Sequence, residues 1–411
     1  MAQHSLIQKL AILSDAAKYD ASCASSGTTK RNSLNNGGLG STEGSGICHS
    51  YAPDGRCISL LKILMTNFCT YDCAFCINRV SSNVARARFT TDEVVKLTME
   101  FYRRNYIEGL FLSSGIIKSP DYTMEQMTHI VKKLRMEHQF QGYIHLKTIP
   151  NASQDLVNEA GMFVDRLSVN IELPTDIGLS KIAPEKDVLE IKKSMASIGE
   201  LISSAREPTL INRRVQKFVP AGQSTQMIIG AESSSDAIIL NRSSSLYCGY
   251  KLKRVYYSAF SPIPDTSVNL PLVKPPMIRE HRLYQADWLM RFYGFNVDEI
   301  TTHGEGMLDL DIDPKLSWAL ANRGVFPVDV NTAPYETLLR VPGFGVKTVR
   351  KITSSRRHAK LRYDDLVKLG ANMKNAKTFI ATVDWHPGAM IDASNLRQRF
   401  VPSLKQLALF L

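Results

Sequence analysis

No stretch of about 18 consecutive apolar residues occurs in this chain, so a membrane-spanning helix is not expected. The first residues also lack a basic segment followed by an apolar core and a small-residue cleavage site. No secretory leader is therefore expected, and the reading is cytoplasmic. Cysteine is scarce and odd in number, seven in 411 residues, and three of the seven crowd into residues 69–76. That argues against a disulfide framework and points to metal binding under reducing conditions. Large apolar residues are almost missing from residues 24–47, where Ser, Gly, Asn and Thr dominate, which predicts a long loop or locally disordered segment. Acidic residues fall short of basic ones, 39 against 50, giving a net charge of +11. The shortfall is uneven: residues 327–411 hold 14 Lys or Arg and 6 Asp or Glu, which puts +8 of the +11 in the last fifth of the chain. A basic terminal domain favours a polyanionic partner.

What is plentiful is ordinary for a globular protein, 44% hydrophobic and 22% charged residues, over a length that allows two domains. Residues 4–18 carry apolar positions at helical spacing and predict a short amphipathic helix. From Ile58 onward, apolar segments alternate with helical patterns, the signature of an α/β domain. Strands are predicted over Ile58–Thr66, Gly109–Ser113, Tyr143–Ile149, Arg166–Glu172, Thr225–Ala231 and Arg254–Phe260. Helices are predicted over Thr91–Arg104, Met124–Glu137, Gln154–Ala160, Val188–Ser204, Ser235–Leu240 and Arg279–Phe295. Six β-then-α units in series predict a partial TIM-like (β/α)6 barrel, with its active site at the C-terminal ends of the strands. Residues 262–276 are Pro-rich and read as a loop, and beyond Pro327 the chain turns basic and helical. The expected organisation is an N-terminal helix and loop (1–47), the barrel (48–300), a linker (301–326) and a small all-α domain (327–411).

Cys69-Thr-Tyr-Asp-Cys73-Ala-Phe-Cys76 follows the first predicted strand directly, where a barrel active site belongs. Zinc requires a second cysteine pair or suitably spaced histidines, and no second pair is present, which leaves zinc or purely structural cysteines as the lesser reading. A 4Fe–4S cluster takes one ligand per iron, so three local thiolates leave one iron open. The Cys-x3-Cys-x2-Cys spacing, with Phe75 before the last cysteine, resembles the signature of the radical S-adenosylmethionine (SAM) superfamily. That resemblance implies Cys69, Cys73 and Cys76 as cluster ligands and SAM on the open iron. It further implies reductive cleavage of SAM to methionine and a 5′-deoxyadenosyl radical, fed by a flavodoxin- or ferredoxin-type electron donor. Cofactor contacts are carried over to Phe75, to the small-residue turn Ser113, Ser114 and Gly115, to Ser168, Asn170 and Glu172, and to Gly230 in the Met227–Glu232 stretch. The usual glutamate after the Gly-rich turn is absent. Residues 168, 170 and 172 alternate onto one strand face, where polar groups need partners.

Cys23, Cys48 and Cys57 fit either a second cluster, with His49 or Cys248 as a fourth ligand, or buried structural thiols. Cys248 reads as an ordinary core cysteine or as a hydrogen-atom donor. Tyr256, Tyr257, His145 and Lys147 lie on predicted strands, and alternation alone does not say which of them face the pocket.

In the basic domain, Asn331 to Ile352 resembles the helix-hairpin-helix motif of DNA repair proteins. A short helix (Pro334–Arg340) meets a Pro-Gly343-Phe-Gly345 turn, and a second helix begins at Val346. The glycines let backbone amides approach a phosphate, and Lys347, Thr348 and Arg350 add side chains. A degenerate second copy follows from Tyr363, with Gly370 opposite Gly343. The whole chain, including Asp20–Cys23, Gly46–His49, Asp54–Cys57 and Glu280–Trp288, resembles a family of radical SAM proteins assigned to DNA modification or repair. That family implies double-stranded DNA and a uracil-DNA-glycosylase-like protein as partners. Modification of structured RNA and a non-catalytic iron–sulfur DNA-binding protein remain as alternatives.

Overall fold

The computed structural model describes residues 4–17, 47–51, 57–205, 218–263, 267–301 and 305–401. Of the loop expected over 24–47, all but Ile47, which opens a strand, lies outside the described residues, as do Cys23 and the side chains of His49 and Cys57. The chain divides into two compact units, one of Met1–Ser233 with Ser245–Pro275 and one of Ser234–Ser244 with Pro276–Leu411.

The first unit is an α/β half-barrel: a curled seven-stranded sheet in the order β1 to β7. Its strands are β1 (Ile47–Tyr51), β2 (Cys57–Leu64), β3 (Gly109–Ser113), β4 (Tyr143–Lys147), β5 (Arg166–Ser168), β6 (Gln223–Ile229) and β7 (Arg254–Ala259). From β2 to β7 all neighbours run parallel, whereas β1 pairs with β2 antiparallel. The sequence predicts the six parallel strands but not β1, whose Ile-Cys-His-Ser-Tyr is short and carries no clear apolar alternation. The parallel strands are apolar runs because both of their faces are covered. In β3, all five residues are buried.

Helices α2 (Thr91–Arg103), α3 (Pro120–Met136), α4 (Gln154–Gly161), α5 (Asp176–Ile182) and α6 (Val188–Ser204) connect the strands, after the N-terminal α1 (Leu6–Ala17). Helix α3 buries Met124, Met127, Ile130, Val131 and Leu134, a stripe at 3.6-residue spacing. It begins one turn before the expected Met124 because Ser119 caps it and Pro120 fills the first helical position. Helix α7 (Asp236–Tyr250) runs ten residues past its expected end at Leu240. Burial of Ser243 and Leu246 there outweighs the poor helix propensity of Ser243–Ser245. Strand β5 is shorter than the predicted Arg166–Glu172. The ladder stops at Ser168, and Glu172 takes a positive φ of 62° before a single bridge to Met227.

In the second unit, α8 (Met277–Phe292) and α9 (Val297–Thr301) are followed by α10 (Pro314–Ala321). Residues 314–321 were expected in a linker; instead Asp313 caps a helix that buries Leu316, Trp318 and Ala319. Helices α11 (Tyr335–Arg340), α12 (Val346–Ser355), α13 (Tyr363–Lys368) and α14 (Met373–Ala376) complete it, with a short parallel pair β8 (Val328–Asp329) and β9 (Ile380–Ala381). Phe326 and Phe379 meet edge to face, 5.0 Å between centroids, in its core. Among the described residues no helix is long and apolar enough to cross a membrane.

Candidate functional site

The cysteine loop leaves β2 at the C-terminal end of the parallel sheet and is fixed by three backbone hydrogen bonds. Gly115 N donates to Thr66 O at 2.8 Å, Thr70 N to Ile116 O at 2.9 Å and Ala74 N to Ile182 O at 2.8 Å. The loop is therefore tied to the exit of β3 and to the last residue of α5. Asn67 bridges the loop's two ends, its Nδ2 donating to Ala85 O and its Oδ1 accepting from Ala87 N, both at 2.8 Å. Arg86 spreads its guanidinium over the carbonyls of Asn67, Asn78, Arg79 and Ser82. One rigid cation thus gathers a chain segment that has no regular structure of its own.

Amide N–H groups and two cations, Lys186 and Arg86, approach the sulfur atoms, and the Glu172 and Glu185 carboxylates lie near Cys73. Ile116 N points at Cys69 Sγ (3.5 Å) and Asn78 N at Cys76 Sγ (3.4 Å). Burial pushes the Cys73 thiol up to about 12, opposed by the nearby Lys186. Burial also works against the Lys186 charge, yet Glu172, Cys73 and Cys76 outweigh it and hold its pKa above the ordinary lysine range. Lys186 Nζ bonds Glu172 Oε1 at 2.6 Å and lies 5.6 Å from the centre of the Phe75 ring. Among the described residues no three His, Cys, Asp or Glu side chains converge as the ligands of a single ion do. Three thiols distributed along one loop, with amide N–H groups and cations facing them, suit a multi-iron cluster whose irons are each held separately.

The other residues expected at the cofactor lie around the same sheet end, with partners of their own. Ser113 is buried and its carbonyl accepts from Met65 N at 2.8 Å. Ser114 Oγ donates to Gly115 O at 2.6 Å. A Cβ on Gly115 would stand 2.3 Å from Phe68 O, so glycine is required there for the close passage of the cysteine loop. Ser168 joins a buried relay: its Oγ lies 2.9 Å from His145 Nε2 and 2.7 Å from Ser224 Oγ. Asn170 Nδ2 reaches both Glu172 Oε2 and Gln226 Oε1 at 3.3 Å. The polar side chains at 168, 170 and 172 are thus satisfied at least partly from within the chain. Gly230 takes a positive φ of 80° beside Pro275. Two residues on, Glu232 accepts from both N and Oγ1 of Thr175, the N-cap of α5.

The remaining candidates separate. Cys48 packs against Ile58, Leu60 and Phe111 on the inner face of the sheet. Cys248 is exposed, not the core cysteine the sequence suggested. Of the strand residues, His145, Tyr256 and Tyr257 are buried and Lys147 is half-buried. In the second unit, Gly343 has a φ of 83°, and its Cβ would lie 2.4 Å from Asn372 O, where the two hairpins meet. Lys347 and Arg350 are exposed, and Gly345 is half-buried at the start of α12. Thr348 is buried, with its hydroxyl bonded to Gly370 O at 3.2 Å, so it joins the hairpins and does not project outward as expected.

Lys186, Glu185 and Arg86 escaped the sequence reading. Glu185 Oε1 accepts from Asp72 N at 2.8 Å inside the cysteine loop. The Ala-Pro-Glu-Lys-Asp stretch that carries Glu185 and Lys186 has no spacing that marks it as part of the site.

Comparison with known proteins gives one family match, the Radical SAM superfamily, over residues 63–239, a span that includes the three cysteines. No curated protein matches the chain. Among solved structures the chain is similar to the FeFe-hydrogenase maturase HydG from Carboxydothermus hydrogenoformans, at 12% identity and TM-score 0.42, over 55% of this chain and 50% of that one. It is also similar to methylornithine synthase PylB, at 15% identity and TM-score 0.41, over 55% of this chain and 61% of that one. The chain thus spans half to three-fifths of the length of these two structures. The cofactors of the matched superfamily are a 4Fe–4S cluster and SAM. With the cysteine triad at the mouth of the half-barrel, residues 63–239 match the Radical SAM superfamily.

Proposed function

We propose that the protein is a radical SAM enzyme acting on nucleic acid, with double-stranded DNA as the substrate of a modification or repair reaction. Bound together, the cluster and SAM supply a 5′-deoxyadenosyl radical able to abstract hydrogen. The chain's own part is to hold the cluster through Cys69, Cys73 and Cys76, to keep Lys186 and Arg86 beside the sulfurs, and to present substrate from the inner face of the sheet. The observation that carries the nucleic-acid reading is the turn from Gly343 to Gly345. It opens a ten-residue helix whose first turns expose Lys347 and Arg350. Helix N-terminal amides and two exposed cations suit a phosphate backbone, a contact that positions a duplex without reading its sequence. The family resemblance of the whole chain favours DNA, together with a flavodoxin- or ferredoxin-type electron donor and a uracil-DNA-glycosylase-like partner protein.

The test uses reconstituted, reduced protein with SAM and either deuterium-labelled duplex DNA or deuterium-labelled structured RNA. The expected result is 5′-deoxyadenosine carrying deuterium from the DNA, with none formed by Cys73→Ala. Deuterium arriving only from RNA would replace the substrate. An intact cluster that yields no labelled 5′-deoxyadenosine with either would remove the nucleic-acid reading.

A further inference from the structure

Strand register places Lys62, Phe111, His145 and Arg166 opposite one another across β2, β3, β4 and β5. Ser168 lies two residues beyond Arg166 on the same strand face, about 7 Å nearer the mouth of the half-barrel. Arg166 therefore sits one layer below the residues assigned to the cofactor.

This layer is rich in positive charge. His145 is buried and its pKa lies well below the usual histidine value, first because of burial and then because Arg166, Lys147 and Lys62 are close. The imidazole is neutral at physiological pH and adds no charge to the layer. Arg166 Nη1 donates to Tyr256 Oη at 3.4 Å and Nη2 to Ala221 O at 3.2 Å, and the Tyr143 hydroxyl is a further partner. Its Nε is sealed from solvent and meets no acceptor among the described residues. The Tyr143 phenol is pushed up to about 12 by burial, against the pull of Arg166, so it keeps its proton at neutral pH.

The hydrogen-bond inventory is lopsided. Each phenol accepts from the guanidinium and still has its own O–H to donate, and Arg166 Nε–H adds a third donor. Burial works against the Arg166 charge, Tyr256 and Tyr143 outweigh it and hold the pKa up, and the hydrogen-bond partners are two phenols and a carbonyl rather than a carboxylate. An oxyanion supplies both the countercharge and several lone pairs in one group. We propose that Arg166, Tyr143 and Tyr256 form an anion subsite on the inner face of the half-barrel that takes a phosphate group of the substrate. The choice of phosphate over other oxyanions rests on the nucleic-acid reading above.

The test compares binding of thymidine 5′-monophosphate and thymidine to the full-length, cluster-reconstituted protein by calorimetry, with SAM binding measured in parallel. A charge-assisted contact of this kind gives the monophosphate an advantage of about 30-fold or more. The preference is expected to fall below about 3-fold in Arg166→Gln and to drop about 5-fold in Tyr256→Phe, one charge-assisted bond being lost. Tyr256→Phe keeps the ring and its packing, so it decides the matter if Arg166→Gln does not fold. Equal binding of the two probes by wild type, or a preference that survives both barrel variants, would overturn the subsite. A loss of SAM affinity in Arg166→Gln equal to the loss of monophosphate affinity would also overturn it, because the anion would then be the SAM carboxylate. An Arg166-dependent preference in a protein that leaves DNA and RNA untouched sinks the proposed function and leaves the subsite standing. Modification without that preference does the reverse.

Discussion

A charge survives burial only beside its opposite, and Lys186 with Glu172 is such a pair, 9% and 6% exposed and 2.6 Å apart. Removing one partner strands the other. Lys186→Met is therefore expected to destabilise the metal-free protein by about 3–5 kcal/mol, whereas Lys186→Met/Glu172→Leu recovers most of that loss. Urea unfolding of the two variants and wild type is the measurement. Because the lysine pKa is raised, the pair's contribution is complete at neutral pH and is lost only above the ordinary lysine range. A double variant no better than the single one would place the effect in packing. Neither residue's pairing was legible in the sequence. Glu172 was read for its place on a strand face, yet it follows the end of that strand at a positive φ. Lys186 lies in a turn between two helices, where no periodicity points. The cysteines were legible for the opposite reason: three thiols within one loop admit few chemical uses, whatever the surrounding fold.

At the level of elements, the parallel strands other than β5 could be read nearly to their ends because strands covered on both faces are written as apolar runs. Elements held by single polar contacts could not be read. Helix α5 shows why this matters for the site. Its N-cap Thr175 is gripped by Glu232, at 3.1 Å through N and 2.8 Å through Oγ1, and its final residue offers Ile182 O to the amide of Ala74 in the cysteine loop. The exit of β6 thus sets the position of the loop through one helix seven residues long. Glu232→Ala removes the acceptor at one end of this connection, a loss of about 1–3 kcal/mol. Hydrogen exchange is expected to speed up across residues 176–182 and at Ala74, with the amides of α3 unchanged. Faster exchange spread evenly over the unit would mean that Glu232 acts on global stability and does not act through α5.

For the molecule as a whole, the concentration of charge in residues 327–411 and the observed units together decide how its role is best tested. Truncation at residue 327 cuts through a single core: Arg340 stacks over Phe295 and Trp318 at 4.2 and 4.8 Å and pairs with Glu299 at 2.7 Å, and Phe326 packs on Phe379. The fold of that unit would be lost with its charge, so surface substitution is the cleaner experiment. Lys347 and Arg350 are exposed on α12 and apart from these contacts. In Lys347→Glu/Arg350→Glu, duplex affinity is expected to fall by about 100-fold at moderate salt. The slope of log K against log salt should shrink by about 1.8, since each lost phosphate contact removes about 0.9. Fluorescence anisotropy over a potassium chloride series measures both quantities. Cleavage of SAM in the absence of nucleic acid is expected to be unchanged, because the cysteine loop belongs to the other unit. An unchanged salt slope in a well-folded variant would move the phosphate contacts away from α12 and leave the +8 charge of residues 327–411 without its assigned partner.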